Sequence, residues 1–204
     1  IYKISMNGEI AIKKIISKKS AGDFLINYQQ FHSEKCSKKK IMEFISKVGC
    51  IQYDPVDVAG INNDIMLRSR FKNYKKQYLY DLLYQERELI DGFDKNMSIY
   101  PTKDWPYLKR NRDKVSDWNK LKNGEIKKIA PKIRETIEEK GPICSLDLNI
   151  KKKIDWFWSP ANIGKAVLEA MYFNGELIVH RKINKRKYYD FAHKYIDKKI
   201  LNSE

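Results

Sequence analysis

The sequence has few of the residues that build disulfide or metal sites. Its 204 residues include three cysteines, Cys36, Cys50 and Cys144, at unrelated spacings, and three histidines without metal-ligand spacing. Such a set indicates neither a disulfide framework nor a zinc site, so we expect reduced thiols. A phosphate-binding glycine-rich loop and a nucleophile elbow are also missing. We therefore expect neither a cofactor nor a metal.

Long apolar runs are missing as well. No run approaches the ~20 residues that a membrane helix needs, and the N-terminal residues lack the apolar centre of a signal peptide. We expect a cytoplasmic protein with no membrane partner. Because the chain begins at Ile1 and ends at Glu204 without an evident stop, we also expect a portion of a longer protein. The sequence carries no signal of oligomeric state.

Basic residues, by contrast, are abundant. Lys and Arg number 41 against 26 Asp and Glu, a formal net charge of +15. A charge of this size favours an anionic partner, with nucleic acid as the first candidate and the nucleoid as the location. The chain is also rich in Ile, Asn and Tyr, so base composition of the genome is an alternative source of part of the lysine excess.

One short polar segment, Gln52-Tyr53-Asp54, follows an apolar run that ends at Ile51. Pro55 favours an extended backbone at Asp54, and residues two apart in an extended backbone point to the same side. Gln52 and Asp54 are therefore predicted to project together and to hold one water, with Tyr53 on the other side. An alternative is that Asp54 caps the next helix or an Asp-Pro turn.

Helices dominate the first half of the chain. Ser37 is placed to cap a helix over residues 38–47, and Gly49 suits its exit. Other predicted elements are helices beginning at Asp23, at Asn62 or Asn63 and near Tyr78, and a strand with its turn over residues 88–93.

The second half has the order of a winged helix. The predicted elements are a helix over residues 126–139 ended by Gly141-Pro142, a short helix at Ser145 to Asp147, a helix over residues 161–173, and strands over residues 176–182 and 186–191 joined by a turn.

The predicted fold is mainly α with small β-hairpins, an α+β class, arranged as a tandem winged helix-turn-helix. The predicted units are an N-terminal tail (1–20), a first winged helix with the Gln-x-Asp segment (20–105), a connecting helix (106–125), a second winged helix (126–195) and the start of a further C-terminal region (196–204). The aromatic residues of the connecting helix favour core packing over stacking on bases.

The segment from Val48 to Val58 resembles the LGxxQxDxxxV segment of the AlkZ/YcaQ (AlkX) family of winged-helix DNA glycosylases. The similarity spans about residues 20–195. Further matches, in chain order, are Ser69-Arg70, Tyr74, Leu79 to Leu83, Glu88-Leu89, Met97 to Pro101, Lys140 to Pro142, Ser145, Trp156, Trp158, Asn174-Gly175, Arg186 and Tyr188 to Asp190.

The resemblance implies a chemistry for the polar pair. A Gln-x-Asp pair is similar to the YcaQ branch, which removes N-alkylated purines and unhooks interstrand crosslinks. It implies a monofunctional glycosylase acting on double-stranded DNA with alkylated or crosslinked purines, in which Asp54 is the general base and Gln52 positions the water. The chain departs from the family at Lys95, where a histidine is usual. The role of that histidine is therefore not carried over to this chain.

Several further residues are predicted to contact DNA. The second hairpin carries a basic tip that suits a phosphate backbone, and other basic residues follow the Gln-x-Asp segment. The tip consists of Arg181, Lys182, Lys185, Arg186 and Lys187. The predicted DNA-binding residues are Arg70, Lys72, Lys75, Lys95, Ser98, Arg181, Lys185 and Arg186. Solvation of a helix face, or lysines that protect a sheet edge, explains such charges equally well.

Two functions of other classes stay open at this point. One is a winged-helix DNA-binding protein or transcription regulator without catalysis, and the other is a protein-interaction module. A DNA binder should lose affinity steeply as salt rises, whereas a protein-interaction module should not.

Overall fold

The computed structural model describes residues 2–4, 10–12, 15–31, 34–54, 60–117, 124–157, 159–184 and 186–203. Within these ranges helices alternate with small, mostly antiparallel sheets, which confirms the predicted α+β class. Every helix in the described ranges is too short or too polar to cross a membrane.

The elements fall in the following order. The helices are α1 (Lys18–Tyr28), α2 (Lys38–Val48), α3 (Asn62–Arg68), α4 (Lys76–Tyr84), α5 (Lys109–Asp117), α6 (Gly124–Lys140), α7 (Ile163–Phe173) and α8 (Lys198–Leu201), with 3₁₀ helices at Thr102–Leu108 and Ala192–Lys194. The strands are β1 (Tyr2–Ile4), β2 (Ile10–Ile12), β3 (Glu34–Lys35), β4 (Ile51–Gln52), β5 (Phe71–Lys72), β6 (Leu89–Phe93), β7 (Met97–Pro101), β8 (Lys153–Ile154), β9 (Ala161–Asn162), β10 (Leu177–Ile183) and β11 (Arg186–Phe191).

Helix α2 forms as its sequence predicts. The Ser37 hydroxyl accepts a hydrogen bond from the Lys40 N–H and so satisfies one free donor of the first turn. Gly49, with a φ of 87°, ends the helix in a backbone conformation that side chains disfavour. The apolar face of α2, with Phe44 at its centre, is buried in a first core against α4 and the strands β4 to β7.

A three-stranded antiparallel sheet closes this first core. Its strand order is β4, β7, β6. The hairpin of β6 and β7 confirms the strand predicted over residues 88–93, although its turn follows Phe93 instead of preceding it. Strand β4 pairs with β7 and forms one edge of the sheet within the described residues.

The second core lies between α6, α7 and the hairpin of β10 and β11. Asn162 caps α7 by accepting a hydrogen bond from the Gly164 N–H at 2.8 Å, and Gly141, with a φ of 75°, follows the end of α6. The predicted helices over residues 126–139 and 161–173 and both predicted strands are therefore confirmed.

A third, smaller core joins the two halves of the chain. Ile90 and Trp105 from the first half are buried together with Ile178 and Ile196 from the second. Helix α8 packs near the 3₁₀ helix that follows β7. The residues predicted as a connector, and those predicted to start a further region, thus contribute side chains to a core that both halves share.

Three predicted details are wrong. Helix α1 begins at Lys18 with Ser17 as its cap, because the Ser17 hydroxyl accepts from the Ser20 N–H, whereas Asp23 lies inside the helix. Helix α3 has no side-chain cap from Asn62 or Asn63. The segment from Ser145 to Asp147 is a turn and not a helix, since the Asp147 carboxylate accepts the nearby Cys144 N–H.

Candidate active site

The Gln-x-Asp segment begins on the edge strand of the three-stranded sheet, β4, and continues two residues past its end. Gln52 stands opposite Ser98 in the register of β4 and β7. The Tyr53 N–H continues this pairing by donating to the Met97 carbonyl at 2.8 Å. Ile51 is buried, Gln52 is exposed and Tyr53 is half-buried, which agrees with the alternation predicted from an extended backbone. The Gln52 side chain therefore points away from the first core.

The backbone of Asp54 is held by a side chain from the next helix. Its N–H donates to the Oδ1 of Asn62, the first residue of α3, at 2.8 Å. Asn62, predicted as a helix cap, instead ties α3 to the end of the strand. The Asp54 residue is half-buried, and residues 55–59 lie outside the described part. Among the described residues, no group of three or more His, Cys, Asp or Glu side chains is placed to bind a metal ion.

Behind Gln52, the Tyr53 ring packs against a buried ion pair. The Lys182 ammonium of β10 lies 3.7 Å from the centre of the Tyr53 ring and 3.4 Å from the Oδ2 atom of Asp91 in β6. The side chains of Lys182 and Asp91 are only 7% and 2% exposed. Burial raises the pKa of the Tyr53 hydroxyl far above its usual range, with a smaller contribution from the Asp91 carboxylate. The Tyr53 hydroxyl therefore stays protonated.

Arg87 fixes β10 beside this sheet. Its guanidinium donates to the backbone carbonyls of Leu83, Val179 and His180, at distances of 2.8 to 3.1 Å. One arginine thus bridges the end of α4 and the hairpin of the second half. This bridge places Lys182, two residues after His180, within reach of Tyr53.

Arg70, predicted to contact DNA, is buried and occupied within the protein. It donates to the Gln29 carbonyl at 3.0 Å and to the Gln29 side chain at 2.9 Å. Its guanidinium lies over the rings of Phe31 and Phe44 at 4.4 and 4.9 Å, and burial lowers its pKa. These contacts hold the end of α1 against α2.

The other predicted residues of the first half divide into exposed lysines and a buried serine. Lys72, Lys75 and Lys95 are exposed, with Lys95 in the turn between β6 and β7. Ser98 is buried beside Gln52, and its hydroxyl donates to the Asn96 carbonyl at 3.2 Å. The hairpin of β6 and β7 thus brings Ser98 close to the Gln-x-Asp segment and leaves Lys95 at the surface.

The second hairpin is less uniformly exposed than its sequence predicts. Arg186 is exposed, and the half-buried Arg181 lies over the Tyr188 ring at 4.8 Å. Lys182 and Lys187 point inward, and burial lowers the pKa of the Lys187 ammonium. The basic tip is therefore smaller than five residues, and Lys185 lies outside the described part.

Sequence reasoning missed the side chains that hold the segment in place. The sequence predicts Asn62 as a helix cap and Lys182 as part of the basic hairpin tip, and its patterns do not single out Asp91 or Arg87. Their contacts join distant parts of the chain. Asp91 alone carried a local signal, since it is a carboxylate within an otherwise apolar strand.

Comparison with known proteins adds one finding to this geometry. The family model described as DNA glycosylase AlkZ-like matches residues 45–201. The match contains the Gln-x-Asp segment, all three strands of its sheet and the second hairpin, and it covers most of the chain. No solved structure matches the chain.

Proposed function

Since the chain belongs to the AlkZ-like DNA glycosylase family and is a DNA glycosylase acting on DNA, we propose that it removes N-alkylated purines in DNA repair. The observation that carries this proposal is the Gln52-Tyr53-Asp54 segment at the sheet edge. Gln52 is exposed there, and Asn62 fixes the Asp54 backbone. An amide at the end of this strand and a carboxylate two residues later suit the delivery of a single water.

The chemistry needs one base. An N7-alkylated purine is cationic and leaves the sugar without being protonated, so a carboxylate that takes the proton of the water and stabilises an oxocarbenium-like state suffices. We assign this role to Asp54 and the positioning of the water to Gln52. This mechanism requires no lysine nucleophile, so the product we expect is an unbroken abasic strand.

The edge position also supports action on crosslinked purines. A base that is tethered to the opposite strand cannot be flipped into a closed pocket. Strand β4 pairs with β7 and has its other side free of strands in the described part of the chain. An open edge accommodates a bulky lesion, so we extend the proposal to the unhooking of interstrand crosslinks.

The proposed DNA surface combines basic residues from both halves of the chain with two winged-helix units at 20–105 and 126–195. It comprises Lys72, Lys75, Lys95, Arg181, Lys185 and Arg186, with Arg70 and Ser98 supporting it from within. The order of α6, turn, α7 and hairpin favours a wing whose tip meets phosphates.

The proposed activity is tested by base release. Incubated with duplex DNA carrying one N7-methylguanine, the chain is expected to release free N7-methylguanine and to leave an abasic site. The strand should break only after alkali, because no amine attacks the sugar. Base release is measured by chromatography and strand breaks on denaturing gels. Release of no base, or breakage without alkali, would contradict this mechanism.

The wing is tested by the salt dependence of DNA binding. Each lost phosphate contact lowers the slope of log affinity against log salt by ~0.9, so the double variant Arg181→Gln and Arg186→Gln should lower it by about two. The matched control, Lys132→Gln with Lys140→Gln, removes two exposed charges of α6 and should leave the slope unchanged. Equal slopes for the wing variant and the wild type would remove the wing from the DNA surface.

A further inference from the structure

A cavity lies beside Gln52 on the face of the sheet that points away from the first core. Gln52, Ser98 and Gly92 stand in one row across β4, β7 and β6. Tyr100 follows Ser98 by two residues, so it lies on the same face, ~7 Å further along the strand. A Cβ atom on Gly92 would meet the Tyr100 hydroxyl at 2.7 Å, which shows that this ring leans across the row.

Tyr100 forms one wall of the cavity, which has a volume of about 260 Å³. Cys50, two residues before Gln52, also lines it, together with Asp94, Asp104 and Tyr107. Cys50 precedes Gln52 by two residues and Tyr100 follows Ser98 by two, and because the strands are antiparallel both lie on the same side of the Gln52–Ser98 pair, so the cavity adjoins Gln52. Its volume is below that of most drug-sized pockets and suits a single base.

Two of the residues that line the cavity are carboxylates, Asp94 and Asp104. Asp94 is held by the Asn111 side-chain amide, which donates to its Oδ1 atom at 2.7 Å. Asp104 makes no hydrogen bond or ion pair with any described residue. On a chain with a net charge of +15, two carboxylates at one cavity repel DNA phosphates and attract a cation. This part of the site is therefore unsuited to the DNA backbone.

The aromatic group of the cavity is unusually accessible. The Tyr107 side chain is 83% exposed, more than any other large apolar or aromatic residue in the described part of the chain. It stands three residues after Asp104 on the same 3₁₀ helix, where side chains at this spacing align. An exposed ring beside a carboxylate that no described residue engages suits the binding of a planar cation with N–H donors.

We infer that this cavity binds the alkylated base of a lesion that is not crosslinked, and that Asp104 and Tyr107 select N7-alkylguanine there. The inference rests on the proposed function. The cationic purine would stack on the Tyr107 ring, while its N1–H and N2–H groups donate to the Asp104 carboxylate. Neutral guanine lacks the charge, and an alkylated adenine lacks the pair of adjacent donors. The cavity should thus bind N7-alkylguanine more tightly than normal guanine, and more tightly than an alkylated adenine.

The test compares two lesions. Single-turnover release is measured from duplexes with one N7-methylguanine or one N3-methyladenine. Asp104→Asn should slow N7-methylguanine release ~10-fold or more, the effect of a lost charged hydrogen bond, and change N3-methyladenine release less. Tyr107→Ala should slow both, and Tyr107→Phe, which keeps the ring, should restore both. Asp113→Asn, an exposed carboxylate of α5, is the matched control. Circular dichroism checks that each variant is folded.

Binding of free N7-methylguanine, measured by equilibrium dialysis, separates this inference from the proposed function. If the wild type releases base but Asp104→Asn changes neither release nor binding, the base-binding role is wrong. If the wild type binds the free base in an Asp104-dependent way but releases none from DNA, the inference holds and the glycosylase mechanism fails. If the wild type neither releases the base from DNA nor binds the free base, both the inference and the proposed function are wrong.

Discussion

The Asp54→Asn variant is expected to release N7-methylguanine roughly 10²- to 10⁴-fold more slowly than the wild type, the usual contribution of a general base. Asparagine has nearly the size of aspartate but cannot take a proton from water. The substitution keeps the backbone N–H that Asp54 donates to the Asn62 side chain, so the end of the strand should keep its position. Single-turnover release from a duplex with one lesion is the measurement.

Two comparisons make the result specific. Gln52→Ala should also slow release, because the water loses its positioning partner, whereas Asp155→Asn, an exposed carboxylate between β8 and β9, should not. DNA affinity should be nearly the same in all of these variants, since none removes a cation. Unchanged release by Asp54→Asn would show that another group takes the proton.

The elements that the sequence predicts correctly are those with a complete local signal. Helix α2 has a cap at Ser37, a buried face and a terminating Gly49 within a dozen residues. Helix α7 and the hairpin of β10 and β11 are similar, since a polar cap, apolar spacing and Asn174-Gly175 follow each other directly. Interactions between residues close in sequence suffice to specify such elements, so the sequence of the segment predicts them.

Burial of the apolar residues of α1 could not be predicted in the same way. Their spacing favours a helix with a buried face, and the helix is present. Phe24 and Leu25 nevertheless remain 62% and 58% exposed, and α1 has no buried residue. Periodicity shows which residues share a face, whereas burial depends on whether another element covers that face.

The residues that hold the candidate site depend on contacts across the whole chain. A lysine in a hairpin and an arginine after a helix look like solvated charges in the sequence, yet Lys182 and Arg70 are both withdrawn from water. Each has a partner that only the folded chain supplies: Asp91 and Tyr53 for Lys182, and Gln29 for Arg70. The sequence alone therefore overestimates how many of the basic residues are exposed.

The position of the Gln-x-Asp segment likewise depends on contacts from both halves of the chain. Its strand belongs to the first core, but the ring between the two polar residues rests on Lys182 of the second hairpin. Arg87 and the shared third core keep that hairpin in position. The two halves are thus expected to unfold together and not as independent units.

The ion pair behind Tyr53 is where a single change should cost the most stability. Lys182→Met is expected to lower the free energy of unfolding by about 3–5 kcal/mol, because it leaves the Asp91 carboxylate buried without a counter-charge. The double variant Asp91→Leu with Lys182→Met removes both charges and should recover most of that loss. Urea unfolding followed by circular dichroism gives all three values.

An exposed pair on α7 provides the matched control. The Lys165 ammonium lies 3.8 Å from the Glu169 carboxylate, with its side chain 55% exposed, so Lys165→Met should cost at most about 1 kcal/mol. A similarly small cost for Lys182→Met would show that the buried pair does not join the two halves. A large cost that the double variant recovers would show that the pair acts through charge compensation, since the loss of packing alone is not restored by a second substitution.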